Sequence, residues 1–479
     1  MNYGIIFYLA GWIMLICGCL MAVPLLTAVI YMEKAGFAFL ITMVFSFLAG
    51  TLIIRKKPRN KVFYIRESYI AVAVSWLLLS LVGCVPFILT GSIPSFINAL
   101  FETVSGFTTT GASILSAVEG LPRSILIWRS FTHWIGGMGV LVFLLTLIPL
   151  TGGFNMGLMK AESPGPSVSR LVPKVRTTAV ILYQIYFVLT LTQVALLLLG
   201  GLPLYDCLCL SFGTAGTGGF GILNDSFGSY SSYIQIVTTI FMILFGVNFN
   251  VYFFIKSFKI KSAFLIEEFR YYLCTILIAV VLITANVRSF FPTLGETIKH
   301  AAFQVGSIIT TTGFSTADFD QWPSFSKTIL VMLMFCGACA GSTGGGIKVS
   351  RLAMLVKSVS KEIQIYLHPN IVKKVKMDGK VVPHETMRAT NIFLTVYIVI
   401  FAASVLIISL DNFDVTTNFT AVAATINNIG PGLSKVGPAC NFDLFSTPSK
   451  LILIFDMLAG RLEIIPLLMF ITPRTWKRF

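Results

Sequence analysis

Long apolar blocks separated by short polar stretches set the pattern of this chain. They run at about Gly4–Tyr31, Gly36–Ile54, Ser68–Leu89, Ser124–Leu150 and Thr177–Leu199. Others follow at Ser232–Ile255, Tyr271–Ala285, Ser326–Ala340, Ala389–Ser409 and Leu451–Ile471. A bilayer core about 30 Å thick is crossed by about 20 apolar residues in a helix, so the pattern predicts up to ten spans. Between blocks, four shorter segments resemble one another: FETVSGFTTTGAS at Phe101–Ser113, GTAGTGGFG at Gly213–Gly221, FQVGSIITTTGFS at Phe303–Ser315 and AATINNIGPGL at Ala423–Leu433. Aligned on Gly111, Gly219, Gly313 and Gly430, they are spaced by 108, 94 and 117 residues. Such spacing predicts one structural unit used four times.

Each short segment is half apolar and then turns to hydroxyl or amide residues and a glycine. None is long enough to cross, so each is predicted to be re-entrant. The unit is span, short pore helix, polar loop, span. The first two blocks are an extra N-terminal pair. This divides the chain into residues 1–66, the pair, and four units at 67–160, 161–260, 261–387 and 388–479. The predicted fold class is an all-α polytopic membrane protein, with pseudo-fourfold repeats around one ion pore.

Composition agrees. The chain is 56% hydrophobic and 11% charged, against roughly 25% charged in soluble proteins. The first block is too long for a signal h-region and lacks a basic n-region. Of 35 Lys and Arg residues, 26 fall in five stretches: Arg55–Arg66, Lys160–Arg176, Lys256–Arg270, Lys348–Arg388 and Arg474–Arg478. With cytoplasmic N- and C-termini, all five lie inside, as the positive-inside rule requires, and all four polar loops enter from outside. This use of basic charge needs no nucleic acid. The nine cysteines fall largely in apolar blocks, which points to packing, and the Cys336/Cys339 pair lacks a redox or zinc context.

Non-helical backbone survives at membrane depth only where it lines water or protein. The polar loops therefore belong at a pore. A pore helix ending there presents its negative dipole end to a cation, and Asp206, Glu296 and Asp414 fall near the starts of three such helices. Neutral carbonyls and hydroxyls without a carboxylate ring suit a monovalent cation, since divalent ions recruit Asp or Glu. Glycine is needed where the backbone takes positive φ or approaches an ion closely.

The motifs TTTGAS, TAGTGGFG, TTTGFS and NNIGPGL resemble the filter loops of the Trk/Ktr/HKT superfamily of potassium transport proteins. AESPGP at Ala161–Pro166, HWIGGMG at His133–Gly139 and GRLEI at Gly460–Ile464 carry the resemblance to the bacterial TrkH branch. It implies potassium at Thr109, Thr110 and Gly111, at Thr217, Gly218 and Gly219, at Thr311, Thr312 and Gly313, and at Asn428, Ile429 and Gly430. In related plant transporters a serine replacing the first of these glycines goes with sodium transport, so Gly111 favours potassium. The resemblance further implies a bacterial inner-membrane location, a homodimer and TrkA-like cytoplasmic nucleotide-binding regulatory subunits. Potassium is then the transported ion, with no organic cofactor.

Gly341, Ser342, Thr343, Gly344, Gly345 and Gly346 interrupt an apolar block and are followed by Ile347 and Lys348. A phosphate loop needs Lys directly after its last glycine, and the match fails. A helix runs poorly through four glycines, so a break is predicted. The family resemblance makes it a loop obstructing the pore beneath the filter. Arg461 lies in the last block. It either faces the pore and closes the gate with this loop, pairs with Asp456 or Glu463, or snorkels to water. An enzyme is not expected, since HExxH, GxSxG and clustered carboxylates are missing. Two alternatives share the scaffold: the potassium-binding subunit of an ATP-driven pump, and a sodium-coupled symporter.

Overall fold

In the computed structural model, residues 2–56, 58, 65–139 and 175–477 are described. The AESPGP segment, the apolar run beyond Gly139 and parts of the first two basic stretches lie outside them. The described chain is mostly helical, with one small ladder pairing Lys376–Met377 and Lys380–Val381. Among the described residues, six helical stretches are long and apolar enough to cross a membrane: Tyr3–Ile30, Gly36–Arg55, Arg66–Leu89, Thr177–Leu199, Glu267–Asn286 and His384–Asp411. A seventh candidate, Ser232–Phe245 with Phe249–Lys256, is bent by 92°.

The core is apolar, but apolar side chains also cover much of the exterior. Helix α3 (Gly36–Arg55) exposes Phe37, Phe45 and Leu48 and buries Thr42 and Ser46. The buried hydroxyls donate back to Ala38 and Thr42 carbonyls at 2.8 and 2.7 Å. With α1 (Tyr3–Leu20) and α2 (Ala22–Ile30), α3 forms the N-terminal pair. Its close crossing depends on small residues, since a Cβ on Gly50 would sit 2.9 Å from the Gly11 carbonyl oxygen.

The rest of the chain follows a recurring order. First come α4 (Ile65–Gly83), the short α5 (Val85–Leu89), α6 (Phe96–Phe107) and α7 (Arg123–Met138). Then α8 (Val175–Leu199), α9 (Leu204–Gly216) and α10 (Ser232–Phe245), with α11 (Phe249–Lys256) after the bend. A short α12 (Ile260–Phe264) leads into α13 (Glu267–Asn286), α14 (Leu294–Ile309), α15 (Ser324–Cys336) and α16 (Val349–Leu367). Last are α17 (His384–Ile408), α18 (Val415–Ile426), α19 (Thr447–Arg461) and α20 (Ile465–Ile471).

The predicted short helices are α6, α9, α14 and α18. Their starts are marked as expected: Asp206 and Glu296 lie in the first turns of α9 and α14, and Asp414 caps α18. Contacts among the central helices return to their origin. α7 packs on α6 and α9, α10 on α9 and α14, α15 on α14 and α18, and α19 on α18 and α6.

One expectation is corrected. The apolar blocks following the short segments were expected to cross as continuous helices. Instead α7, α10, α15 and α19 have 16, 14, 13 and 15 residues. At about 1.5 Å per residue, each is about 20–24 Å long, short of a bilayer core. Gly139 (φ 78°) follows α7 and Gly337 (φ 69°) follows α15, both left-handed positions that stop a helix. α10 breaks at Gly246–Asn248, where the Asn248 side chain caps α11 by accepting from Asn250 N–H at 3.0 Å. α19 breaks at Glu463 and Ile464, whose φ values are 56° and 68°.

Candidate functional site

Each short helix ends in a loop with one backbone signature. Thr109, Thr217, Thr311 and Asn428 take left-handed φ of 56°, 54°, 59° and 55°. Two residues on, Gly111, Gly219, Gly313 and Gly430 are again positive, at 80°, 82°, 84° and 101°. Asn428 therefore occupies the backbone position of the three threonines. The intervening residues are Thr110, Gly218, Thr312 and Ile429.

The glycines show how the loops meet. A Cβ on Gly111 would lie 2.1 Å from the Gly218 carbonyl oxygen. One on Gly219 would lie 2.2 Å from Thr312 O, one on Gly313 2.0 Å from Ile429 O, and one on Gly430 2.8 Å from Thr110 O. The contacts pass from each loop to the next and close on the first. All four glycines line one mouth of about 140 Å³, together with Ser113 and Asn224. The threonines and asparagines behind them are buried.

Buried side chains brace this ring. Glu102 on α6 meets Arg129 on α7 at 2.7 Å, both almost fully buried. The carboxylate also accepts from Ser113 Oγ (3.0 Å) and Ile114 N–H (3.0 Å), just past the first glycine. Arg129 donates to Gly221 O at 3.4 Å and stacks 4.1 Å over Phe220, just past the second. In the third unit Gln304 holds the place of Glu102 and donates to Ala317 O at 3.2 Å. His133 joins the end of α6 to the second loop: its Nδ1 meets Gly106 O at 2.8 Å, and its Nε2 accepts from Phe220 N–H at 3.2 Å. Accepting at Nε2 leaves the proton on Nδ1, so the ring is neutral. A Cβ on Gly218 would strike this imidazole at 2.1 Å. In the fourth loop, Asn428 Nδ2 donates to Thr110 Oγ1 and Met457 O, both at 2.9 Å.

Opposite the mouth, the predicted break is a loop between α15 and α16. Gly337, Gly341 and Gly346 take positive φ there, and so does Lys348 at 81°. The loop presses against the helix ends that carry the ring. Gly345 N–H donates to Thr311 Oγ1 at 2.6 Å. A Cβ on Gly344 would lie 2.9 Å from Thr310 O, and one on Gly345 2.5 Å from Asn427 O. Thr343 Oγ1 donates to Phe245 O at 3.2 Å, Ser342 Oγ to Cys339 O at 2.7 Å, and buried Lys348 Nζ to Gly344 O.

Arg461, at the end of α19, reaches into the same space. It donates to Thr343 O on the loop at 2.9 Å and to Thr109 Oγ1 on the ring at 3.3 Å. It also donates to the carbonyls of Gly136 and, at 2.7 Å, Gly137 at the end of α7. The two acids weighed as its partners are engaged elsewhere: Asp456 accepts from Ser404 Oγ at 2.7 Å, and Glu463 pairs with Arg351.

Sequence reasoning missed Glu102, Arg129 and the bridging role of His133. For Glu102 a signal existed, an acid inside an apolar repeat segment. Among the described residues, no cluster of three or more His, Cys, Asp or Glu could hold a resident metal. Neutral backbone oxygens and hydroxyls crowd together there instead, among helices apolar enough to cross a membrane. The molecule is of the cation-transporter class.

Comparison with known proteins places it further. Residues 35–477 match the family described as TrkH, cation transport protein, and the chain belongs to that family. It is 35% identical over 484 residues to the Trk system potassium uptake protein TrkH of Salmonella typhimurium, covering 100% of both. To the Trk system potassium uptake protein TrkG of Escherichia coli it is 31% identical, covering 99% of this chain and 98% of that one. The crystal structure of the potassium transporter TrkH from Vibrio parahaemolyticus superposes with a TM-score of 0.89 at 30% identity, covering 100% of both chains.

Proposed function

We propose that this chain takes up potassium across a bacterial cytoplasmic membrane through a filter of backbone oxygens contributed by four pseudo-fourfold units. The observation that carries this is the cyclic contact of each loop glycine with the next loop's carbonyl oxygen. A ring closed in this way offers oxygen ligands from four sides to an ion that has shed water. The filter residues are Thr109–Gly111, Thr217–Gly219, Thr311–Gly313 and Asn428–Gly430. The names of the relatives supply potassium as the ion. The five basic stretches support cytoplasmic termini with the mouth outside.

The loop Gly341–Gly346 and Arg461 are the gate. A guanidinium beneath the filter raises the barrier to any cation. Its five N–H groups can hold loop, ring and α7 together. Regulation belongs to TrkA-like nucleotide-binding subunits acting from the basic side, and the chain works as a homodimer.

The test is flux in liposomes holding the purified chain. Rb⁺ should enter in preference to Na⁺, and Arg461→Ala or deletion of the loop should raise partner-free flux. Equal Rb⁺ and Na⁺ entry would refute the filter, and unchanged flux in both variants would refute the gate. Flux that requires an ATPase partner or a Na⁺ gradient would turn the reading to the pump subunit or the symporter.

A further inference from the structure

Glu268 is a buried carboxylate that neither the ring nor Arg461 uses. It lies in the first turn of α13 and is 5% exposed. Its Oε1 accepts from Ala340 N–H at 2.6 Å and from Ser350 N–H at 3.2 Å. Its Oε2 accepts from Asn248 Nδ2 at 3.2 Å. The three donors come from three places: the entry of the intramembrane loop, the first turn of α16 after its exit, and the break between α10 and α11.

The loop leans on that same break. Cys339 N–H donates to Gly246 O and Phe249 N–H donates to Gly341 O, both at 3.1 Å. These are neutral backbone bonds along one side of the loop. Glu268 adds charge-assisted bonds, which are roughly twice as strong, and clasps entry and exit together. With Ala340 and Ser350 bound to a single oxygen, the two ends of the loop cannot separate without releasing the carboxylate. Leaving it buried without donors is costly, so release must accompany entry of water.

We propose that Glu268 is a positioning residue of the gate, the latch that keeps the intramembrane loop closed beneath the filter. This rests on the loop being the gate. Its neighbour Glu267 offers an internal control, since it has the same charge in the same turn. Glu267 pairs with Lys357 on α16, where both side chains are partly exposed, and exposed pairs contribute little.

The experiment is Rb⁺ flux through the full-length chain in liposomes without a regulatory partner. Glu268→Ala should raise flux by roughly tenfold or more, the shift expected from losing one charge-assisted hydrogen bond. The Rb⁺/Na⁺ preference should stay unchanged. Glu268→Gln, which keeps an acceptor oxygen, should give a smaller rise, and Glu267→Ala none. A rise separates a latch from a merely structural residue, whose loss lowers flux. Site-resolved maleimide labelling supplies a second readout. Cys339 on the loop is buried and should become reactive in Glu268→Ala and Glu268→Gln but not in Glu267→Ala. If loop deletion opens the pore while both Glu268 variants leave flux and Cys339 labelling at wild-type levels, the latch is wrong and the gate stands. If loop deletion changes nothing, gate and latch fall together.

Discussion

Gly313→Ala gives the sharpest check on the ring. Gly313 sits at φ 84°, where a residue with a Cβ is strained by about 1–2 kcal/mol. The added methyl carbon would lie 2.0 Å from Ile429 O and 3.0 Å from Pro431 Cδ, while real Cβ contacts essentially never fall under 3.0 Å. The proline ring blocks escape on one side, so the Ile429 carbonyl must retreat by at least about 1 Å. That carbonyl is one of the proposed ligands. If its retreat weakens potassium binding by only about 1.4 kcal/mol relative to sodium, the preference falls tenfold. Gly430→Ala is the matched comparison. Its nearest neighbour, Thr110 O, is 2.8 Å away, so a shift of a few tenths of an ångström suffices. Rb⁺ and Na⁺ fluxes measured in the same liposomes should show selectivity collapsing in Gly313→Ala and eroding less in Gly430→Ala. Wild-type selectivity in folded Gly313→Ala, or greater damage from Gly430→Ala, would refute the cyclic contact as the basis of the filter.

Three further outcomes follow from the bracing side chains. Glu102→Gln leaves the Arg129 charge buried without its partner and should cost about 3–5 kcal/mol, read as a lower melting temperature in detergent. Replacing both residues, Glu102→Gln with Arg129→Met, should recover part of that loss. Glu33 accepts from Arg123 N–H (2.7 Å) and Ser124 N–H (3.0 Å), so it caps α7 from the turn of the N-terminal pair. Glu33→Ala should cost about 1 kcal/mol in melting experiments without altering ion preference. At the start of α18, the hydroxyl and backbone N–H of Thr417 hold the Asp414 carboxyl below its usual range. A lowered pKa means the folded state favours the charged form. The resulting stability is present above the unfolded value of about 4 and is lost as pH falls through the folded value. Asp414→Asn should therefore flatten the acid limb of a melting profile, and an unchanged limb would dismiss this cap.

The four short helices and their loops were legible because both hydropathy and residue type repeat there. The breaks in the helices that follow were not. Ser232–Ile255 reads as one apolar run, since hydropathy reports the surrounding solvent and not the backbone path. The bend at Gly246–Asn248 depends on a side-chain cap and on loop residues about 90 positions away. Arg461 illustrates a second limit. Charge pairing with Asp456 or Glu463 is one reading of its sequence, but the hydrogen bonds it makes to described residues go mostly to backbone carbonyls, which every residue carries. Glu33 and the start of α7 meet across some 90 residues, and a single sequence offers no periodicity to reveal that contact. The repeat and the family resemblance place Asn428 with the threonines, and its φ of 55° matches theirs although its side chain differs.

The glycine contacts are made by one polypeptide. In a ring of identical subunits, a substitution strikes every quarter at once. Here a substitution strikes one quarter and leaves the sequence of the other three unchanged. The quarters are also unequal: the junction from Gly430 back to Thr110 is the loosest of the four. Across that seam the Asn428 amide donates to Thr110 Oγ1 at 2.9 Å, a side-chain tie from the fourth loop back to the first.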